Sequence, residues 1–411
     1  MALRVQKYGG TSVGTPERIR RVAGRIAAER SAGHEVVVVV SAMGDTTDEL
    51  LALAAQVSPE PRLRHPRELD MLLTAGERIT MALTAMAIRD LGMEAISLTG
   101  SQAAIITDEA HTVARIEEVR ATRVRAELDA GRVVIVAGFQ GVSRAREVTT
   151  LGRGGSDTTA VALAAALAAE SCDIFTDVDG IFTADPRRVP AARLIPAIDY
   201  QEMIELASAG AQVMHPRAVE IGARFGVPIR VRSSFRDHDD VSTLISRRPA
   251  MEEMVVTGLA SNAGYARLVL RGLPPTLAAV ARILSALAAE RISVDMAGHA
   301  DRPDGRRQVQ LSVLEADLPR AEELVRGLVT QMGGERVDTT PGLSRVTLVG
   351  SGMTGVPGVY ARALEALVAA GIEVHALSTS PITISLLVDA DAEDRTLQTL
   401  HAAFDLAKGQ A

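Results

Sequence analysis

Five consecutive valines, residues 36–40, constrain the fold more than any other stretch of the chain. A strand that is apolar on both faces must be covered on both, the situation of a parallel sheet flanked by helices. The run Val133-Val134-Ile135-Val136-Ala137 makes the same demand. Further strands are read at residues 3–8, 173–177 and 227–232. Helical stretches separate them. Thr15-Pro16-Glu17 supplies an N-cap, a first-turn proline and a first-turn acid, after which Ile19, Val22, Ala23, Ile26 and Ala27 share one face. Residues 69–91 and the alanine-rich run 160–169 read as two more helices. Strands alternating with helices predict a three-layer αβα domain on a mostly parallel sheet, with ligands at the carboxyl ends of its strands.

Glycines and polar residues gather in the loops after these strands. Gly9-Gly10-Thr11-Ser12-Val13-Gly14 follows the first strand, with Lys7 at its edge. The lysine precedes the glycines, so this is not a Walker loop. Ser41-Ala42-Met43-Gly44 and the polar loop Asp45-Thr46-Thr47-Asp48 follow the valines, and Gly138-Phe139-Gln140-Gly141 follows the second apolar run. Leu151-Gly152-Arg153-Gly154-Gly155-Ser156-Asp157 opens the alanine-rich helix. Glycines let backbone N–H groups approach a ligand, and a helix start adds free N–H groups and the positive end of its dipole. Arg153 contributes a planar fork for a carboxylate or phosphate. Together these make an anion site, with Ser156 or Asp157 as the expected N-cap.

Composition excludes several classes. Hydrophobic residues are 47% of 411, but aromatics are only 2% and Trp is absent, so the core must be aliphatic. A net charge of −7 argues against a general nucleic-acid or membrane-surface binder. The single cysteine, Cys172, excludes an intrachain disulfide and a cysteine metal cluster, and reads as a small buried residue. No signal-peptide core follows Met1 and no apolar run is expected to span a bilayer, which predicts a cytoplasmic protein. A polar stretch containing Asp237, Asp239 and Asp240 and ending at Arg247-Arg248-Pro249 sets a domain boundary near 250.

Beyond that boundary the chain repeats. Ala281-Arg282-Ile283-Leu284-Ser285-Ala286-Leu287 echoes Ala361-Arg362-Ala363-Leu364-Glu365-Ala366-Leu367, an offset of 80 residues (361 minus 281). Ile292-Ser293-Val294 echoes Ile372-Glu373-Val374 in the same register. Each unit reads strand, turn, helix, strand, strand, helix, the size of a small α+β module.

Four motifs, in order, then resemble one family. Lys7-Tyr8-Gly9-Gly10-Thr11-Ser12, Gly76-Glu77-Arg78-Ile79, Gly152-Arg153-Gly154-Gly155-Ser156-Asp157 and Thr176-Asp177-Val178-Asp179-Gly180 are similar to those of aspartokinases, and the repeat resembles their paired ACT modules. The likeness runs nearly end to end. It implies an amino-acid-kinase catalytic domain over residues 1–250 and ferredoxin-like ACT modules over 255–340 and 341–411. It also implies an enzyme that uses MgATP to phosphorylate the side chain of L-aspartate, giving 4-phospho-L-aspartate for lysine, threonine and methionine synthesis. Magnesium would arrive with ATP rather than sit in a fixed protein site. The chemistry suits the residue types. A carboxylate with an ordinary pKa of about 3.9 is already a nucleophile at neutral pH, so no general base is needed. What remains is to align two anions and neutralise the transferring phosphoryl group.

The resemblance also implies roles. Lys7 holds phosphate oxygens and stabilises the transition state, Gly9 and Gly10 cradle the phosphates, and Ser12 adds a hydroxyl. Arg153 pairs with the substrate α-carboxylate and Glu77 with its α-ammonium. Ser41, Thr47 and Phe139 line the aspartate site together with Gly154, Gly155 and Ser156, while Asp157 orients Lys7 or magnesium. Thr176, Asp177, Phe182, Asp185 and Arg187 match the adenosine-binding loop, with phenylalanine where tyrosine is common. His215-Pro216-Arg217 matches another nucleotide-side loop. Two other readings compete: an amino-acid-kinase-fold enzyme for a different acceptor, such as glutamate or a nucleoside monophosphate, and an amino-acid sensor without turnover.

Regulation by threonine or lysine, and a homodimer or larger assembly through the ACT modules, are further expectations. Asp295, Met353, Ser378 and Thr379 are the implied regulatory residues. The second module keeps Gly350-Ser351-Gly352-Met353 and Val356-Pro357-Gly358. The first departs from the family, with Leu273-Pro274-Pro275-Thr276 in place of an aspartate and a Pro-Gly turn. Ser293 stands where asparagine is common and His299 where glutamine is common.

Overall fold

The computed structural model describes residues 1–236, 241–247, 256–351, 353 and 356–408. The boundary expected near 250, the acids Asp237, Asp239 and Asp240, the pair Arg248-Pro249, and Gly352 lie outside the described residues. The chain divides into two compact units. The first comprises Met1–Phe182, Leu194–Ser208 and Gln212–Met251; the second comprises Thr183–Arg193, Ala209–Ala211 and Glu252–Ala411.

The first unit is built on an eight-stranded sheet. Its order is Ala197–Ile198, Thr243–Ile245, Ile229–Ser233, Ser171–Thr176, Leu3–Tyr8, Glu35–Val40, Val133–Ala137, Ala95–Leu98. All pairings are parallel except that between Thr243–Ile245 and Ile229–Ser233. The five valines are completely buried. Val36, Val38 and Val40 share a core with Ile19, Val22 and Ile26 of the helix Pro16–Ser31 and with Met81, Ala85 and Ile88 of the helix Ala75–Arg89. Val37 and Val39 point to the opposite face, as strand alternation requires. The buried helix Gly155–Ala166 packs against the central strands, backed by Pro216–Phe225.

Several local readings are corrected. The helix expected over 69–91 is two helices, Pro66–Leu73 and Ala75–Arg89, joined at Thr74. The most apolar 18-residue window within residues 66–89 is half buried, as in a core helix of a folded domain. The polar loop at 45–48 becomes the start of the helix Thr46–Val57. Neither Ser156 nor Asp157 is an N-cap: the cap is Gly154, in the left-handed region with φ 66°, and both residues lie inside the first turn. Thr15 does cap its helix, accepting from the Arg18 N–H. A second sheet of four short strands, Ile116–Val119, Ile105–Thr107, Gln140–Ser143 and Val148–Thr150, had no signal in the apolar pattern.

The second unit carries a six-stranded antiparallel sheet with helices Leu277–Ala289, Leu318–Gln331, Val359–Ala369 and Glu393–Ala403. The 80-residue echo corresponds to the helices Leu277–Ala289 and Val359–Ala369, each following a long strand. Those strands, Gly258–Leu273 and Arg336–Val349, pair with each other and join both repeats in one sheet. Arg336–Val349 runs across residue 340: its start pairs only with the first repeat, and residues 343–349 also pair with Thr383–Asp389. Each repeat has its own core, one around Leu268, Ile283, Val309 and Val325, the other around Val346, Leu367, Leu386 and Leu400. Ala184 and Val189 belong to the latter, and Arg188 pairs with Glu393 and Asp394.

Candidate active site

The first strand ends by delivering Lys7 and Tyr8 into the glycine loop. Tyr8 is buried and stacked on Phe175, which anchors the strand end. Lys7 Nζ lies 2.7 Å from Asp157 Oδ1, and both side chains are almost enclosed. Asp157 occupies the first turn of Gly155–Ala166, where the helix dipole favours an acid. The two glycine loops therefore converge on one buried ion pair. The glycines follow from space. A Cβ on Gly10 would sit 2.9 Å from the Ala42 carbonyl oxygen, and one on Gly138 would sit 2.7 Å from Ser156 Oγ. Ser12 is buried, and its hydroxyl donates to Ser234 at 2.8 Å rather than turning to the loop surface.

Glu77 enters from the helix Ala75–Arg89. Gly76 permits this, because a Cβ there would lie 2.7 Å from Ala42 Cβ. The close approach lets Glu77 Oε1 accept the Ala42 N–H at 3.3 Å. Its Oε2 is buried without a hydrogen-bond partner. Burial pushes the carboxyl up from 4.5 to about 7, against the lowering effect of its own and the Ala42 N–H groups. A buried carboxylate with one oxygen unpaired is suited to receive a cation.

Arg153 is exposed and forms no hydrogen bond or ion pair with the described residues. Its loop is closely packed all the same. Gly152 and Gly154 have positive φ, and a Cβ on Gly154 would fall 2.1 Å from His215 Cβ. His215 caps the helix Pro216–Phe225 through Nδ1, and burial lowers its pKa. Phe139 takes φ 67°, unusual for a bulky residue, and packs on Gly155, whose added Cβ would meet its ring at 2.9 Å. Ser41 and Thr47 are half-buried on the segment following the valines, on the same stretch as Ala42.

The five residues expected around the adenosine fall in both units. Thr176, Asp177 and Phe182 lie in the first, where the Thr176 hydroxyl donates to Asp177 at 3.1 Å. Asp185 and Arg187 lie in the second, engaged with each other; the Arg187 guanidinium holds the Asp185 carboxyl below its usual range. Of the implied regulatory residues, Met353 sits in the core of the second unit, so its side chain is not available to a small ligand. Asp295 pairs with Arg345. Ser378 and Thr379 are exposed on the strand Ala376–Thr379, and Ser378 lines a cavity of about 310 Å³ together with His299, Gln310 and His375.

Sequence reading missed Asp70, His111, Thr150 and the backbone contacts of Arg217, which lie beneath the Arg153 loop. One signal existed: Asp70 stands between Leu69 and Leu73 on the buried side of its helix.

The amino acid kinase family matches residues 2–233, and an ACT domain family matches residues 346–404. An aspartokinase of Mycolicibacterium smegmatis is 49% identical over 411 residues, 99% of this chain and 97% of that protein. An aspartokinase of Geobacillus stearothermophilus is 48% identical, covering 100% and 99%. Among solved structures, E. coli aspartokinase III in complex with aspartate and ADP (R-state) superposes with a TM-score of 0.81 at 26% identity, covering 98% of this chain and 100% of that one. The same enzyme with lysine and aspartate (T-state) gives 0.75 at 26%, covering 98% and 99%.

Proposed function

Because the chain belongs to the aspartokinases of the amino acid kinase family, we propose a specific division of labour for its transfer of the ATP γ-phosphoryl group to the side-chain carboxylate of L-aspartate. The observation that carries it is the pairing of Lys7 with Asp157 at 2.7 Å, where two glycine loops meet. Asp157 holds the ammonium of Lys7 in place, and Lys7 meets the charge that builds on the transferring phosphoryl group. Gly9 and Gly10 offer backbone N–H groups to the phosphates. Asp157 is also the hard oxygen donor that would hold magnesium, which when bound neutralises the β- and γ-phosphate oxygens.

Aspartate is held by opposite charges at its head group. Arg153 presents its fork to the α-carboxylate, and the unpaired oxygen of Glu77 receives the α-ammonium. The side-chain carboxylate is then left pointing toward the phosphoryl group, already ionised. Thr176, Asp177 and Phe182 are assigned to the nucleotide. Residues 1–250 form the catalytic domain in this reading, and 255–340 and 341–411 are the ACT modules, with threonine or lysine as effector and a homodimer as the assembly. Trapping the acyl phosphate with hydroxylamine tests the assignment. Wild-type protein should give aspartyl hydroxamate that depends on ATP and aspartate; glutamate in place of aspartate should give none. Arg153→Ala should raise the KM for aspartate by about 30-fold or more while leaving that for ATP near wild type, the scale of losing one partner of a charge pair. A collapse of ATP affinity instead would show the two ligands to be placed in the wrong halves.

A further inference from the structure

Asp70 takes no part in the chemistry above and belongs to none of the motifs. It is completely buried on the helix Pro66–Leu73. A buried carboxylate is tolerated only where donors satisfy it, and Asp70 has three. Its Oδ1 accepts the Thr150 hydroxyl at 2.6 Å. The Thr112 N–H reaches both oxygens at 3.1 Å. His111 Nδ1 lies 2.7 Å from Oδ2.

Two of these partners, Thr150 and Thr112, bear on the loop that carries Arg153. Thr150 is the last residue of its strand, three before the arginine. Its carbonyl accepts the Ala114 N–H at 2.9 Å. Arg217 binds the Leu151 carbonyl at 2.7 Å and the Ala114 carbonyl at 2.9 Å. The Thr112 carbonyl forms the floor under Gly152, 3.2 Å from where a Cβ would project. Residues 150 and 151 are thus each held by a hydrogen bond, and residue 152 lies close against the Thr112 carbonyl. On its other side Asp70 is tied by the chain itself to Glu77, seven residues on. At the joint between the two helices the Thr74 carbonyl accepts from Gln140 Nε2 at 3.3 Å.

We propose that Asp70 is a positioning residue for recognition of the amino-acid head group. It fixes the separation of the Arg153 loop from the helix bearing Glu77. The α-carboxylate and α-ammonium of an amino acid sit on one carbon, so their separation is fixed, and the two protein groups must match it. Small misplacement of such groups is costly in rate and affinity. The proposal rests on the reading that Arg153 and Glu77 bind that head group. A carboxylate is required because all three donors need acceptors, and an asparagine would turn an N–H toward one of them.

The test is steady-state kinetics on the full chain, with aspartate and ATP varied separately. KM does not depend on how much of the enzyme is folded, so a merely structural role would not move it. Asp70→Asn should raise the KM for aspartate about tenfold or more and that for ATP by less than about twofold. Thr150→Val deletes one donor at constant shape and should act in the same direction, about threefold to tenfold. In an Arg153→Ala background, Asp70→Asn should add less than about twofold, because the group it positions is gone. An unchanged aspartate KM in both Asp70→Asn and Thr150→Val would overturn the proposal; if Asp70→Asn does not fold, Thr150→Val alone decides. Full multiplication of the effects in the double variant would overturn it too. Should Arg153→Ala itself leave the aspartate KM untouched, the head-group reading fails and takes the proposal with it. Where only Arg153→Ala acts on aspartate, the reading stands and Asp70 is not its positioner.

Discussion

Replacing Glu77 by glutamine should stabilise the protein while disabling it. Burial raises the Glu77 carboxyl from 4.5 to about 7. In the unfolded chain it titrates at its ordinary value. Below about pH 4.5 the group is neutral in both states and costs nothing. As pH rises from there to about 7, the unfolded chain ionises and the folded one does not, so stability falls; above about 7 the full penalty remains. A difference of about 2.5 units at about 1.36 kcal/mol each is about 3 kcal/mol. Glutamine keeps an oxygen for the Ala42 N–H but never ionises. Glu77→Gln should therefore gain about 3 kcal/mol at pH 8 and almost nothing near pH 4.5, which for a domain of this size is a rise of about 6–12 °C in melting temperature. The assay is thermal unfolding of wild type and variant at both pH values without aspartate. Kinetics should run the other way, with the KM for aspartate about 30-fold higher or more once the ammonium has lost its anion. An equal stability difference at both pH values would show that the carboxyl is not held in its neutral form by burial. Stabilisation at pH 8 without an effect on aspartate would leave the electrostatics intact and remove Glu77 from the substrate site.

Lys7→Ala should lower kcat by about 100-fold or more with a smaller change in KM for aspartate, since the charge it meets develops in the transition state; near-normal turnover would remove it from the chemistry. Gly154→Ala places a Cβ 2.1 Å from His215 Cβ at φ 66°, so the variant should lose activity and melt several degrees lower in a thermal scan. Size-exclusion light scattering at micromolar concentration should report a dimer. Val294–Asp301 and Ala376–Thr379 are the open edges of the six-stranded sheet, and edges of that kind are covered by pairing; a monomer would contradict this.

The central sheet was legible because burial on both faces leaves an unmistakable pattern: the five valines and Val133–Ala137 could only be interior strands. The second, four-stranded sheet was not. Its strands are three or four residues long and carry Glu117, Glu118, Thr107 and Thr149, so no period emerges over so short a span. The motif residues Lys7, Glu77, Arg153 and Asp157 were legible through glycine loops and resemblance. Their supports were not, because Asp70, His111 and Arg217 act through contacts 41 to 103 residues apart in sequence. The cap was misread for a physical reason as well. Ser156 and Asp157 are good capping side chains, but the helix starts at Gly155, ahead of both, and its cap Gly154 takes the left-handed backbone that favours glycine.

The effector site is where this chain should behave unlike its relatives. A small amino-acid effector needs an anion for its ammonium and N–H donors for its carboxylate. In the first repeat the turn before Leu277–Ala289 holds Pro274 and Pro275, which have no N–H, and the Thr276 N–H is already used by the Pro274 carbonyl at 2.8 Å. Asp295, the acid that remains there, is paired with Arg345, so an effector ammonium must displace a guanidinium to reach it. His299 and His375 line the neighbouring cavity and add no anion. An effector shifts a two-state enzyme only by its differential affinity for the two states, and each missing partner lowers that difference. A coupling reduced from about 3 to about 1 kcal/mol falls from roughly 150-fold to roughly 5-fold in affinity. Threonine and lysine, singly or together, should therefore inhibit weakly at millimolar concentration, with little cooperativity. Arg345→Ala frees Asp295 and should strengthen inhibition by either amino acid. Strong cooperative inhibition of the wild-type enzyme below about 1 mM would show that the effector is held by other groups.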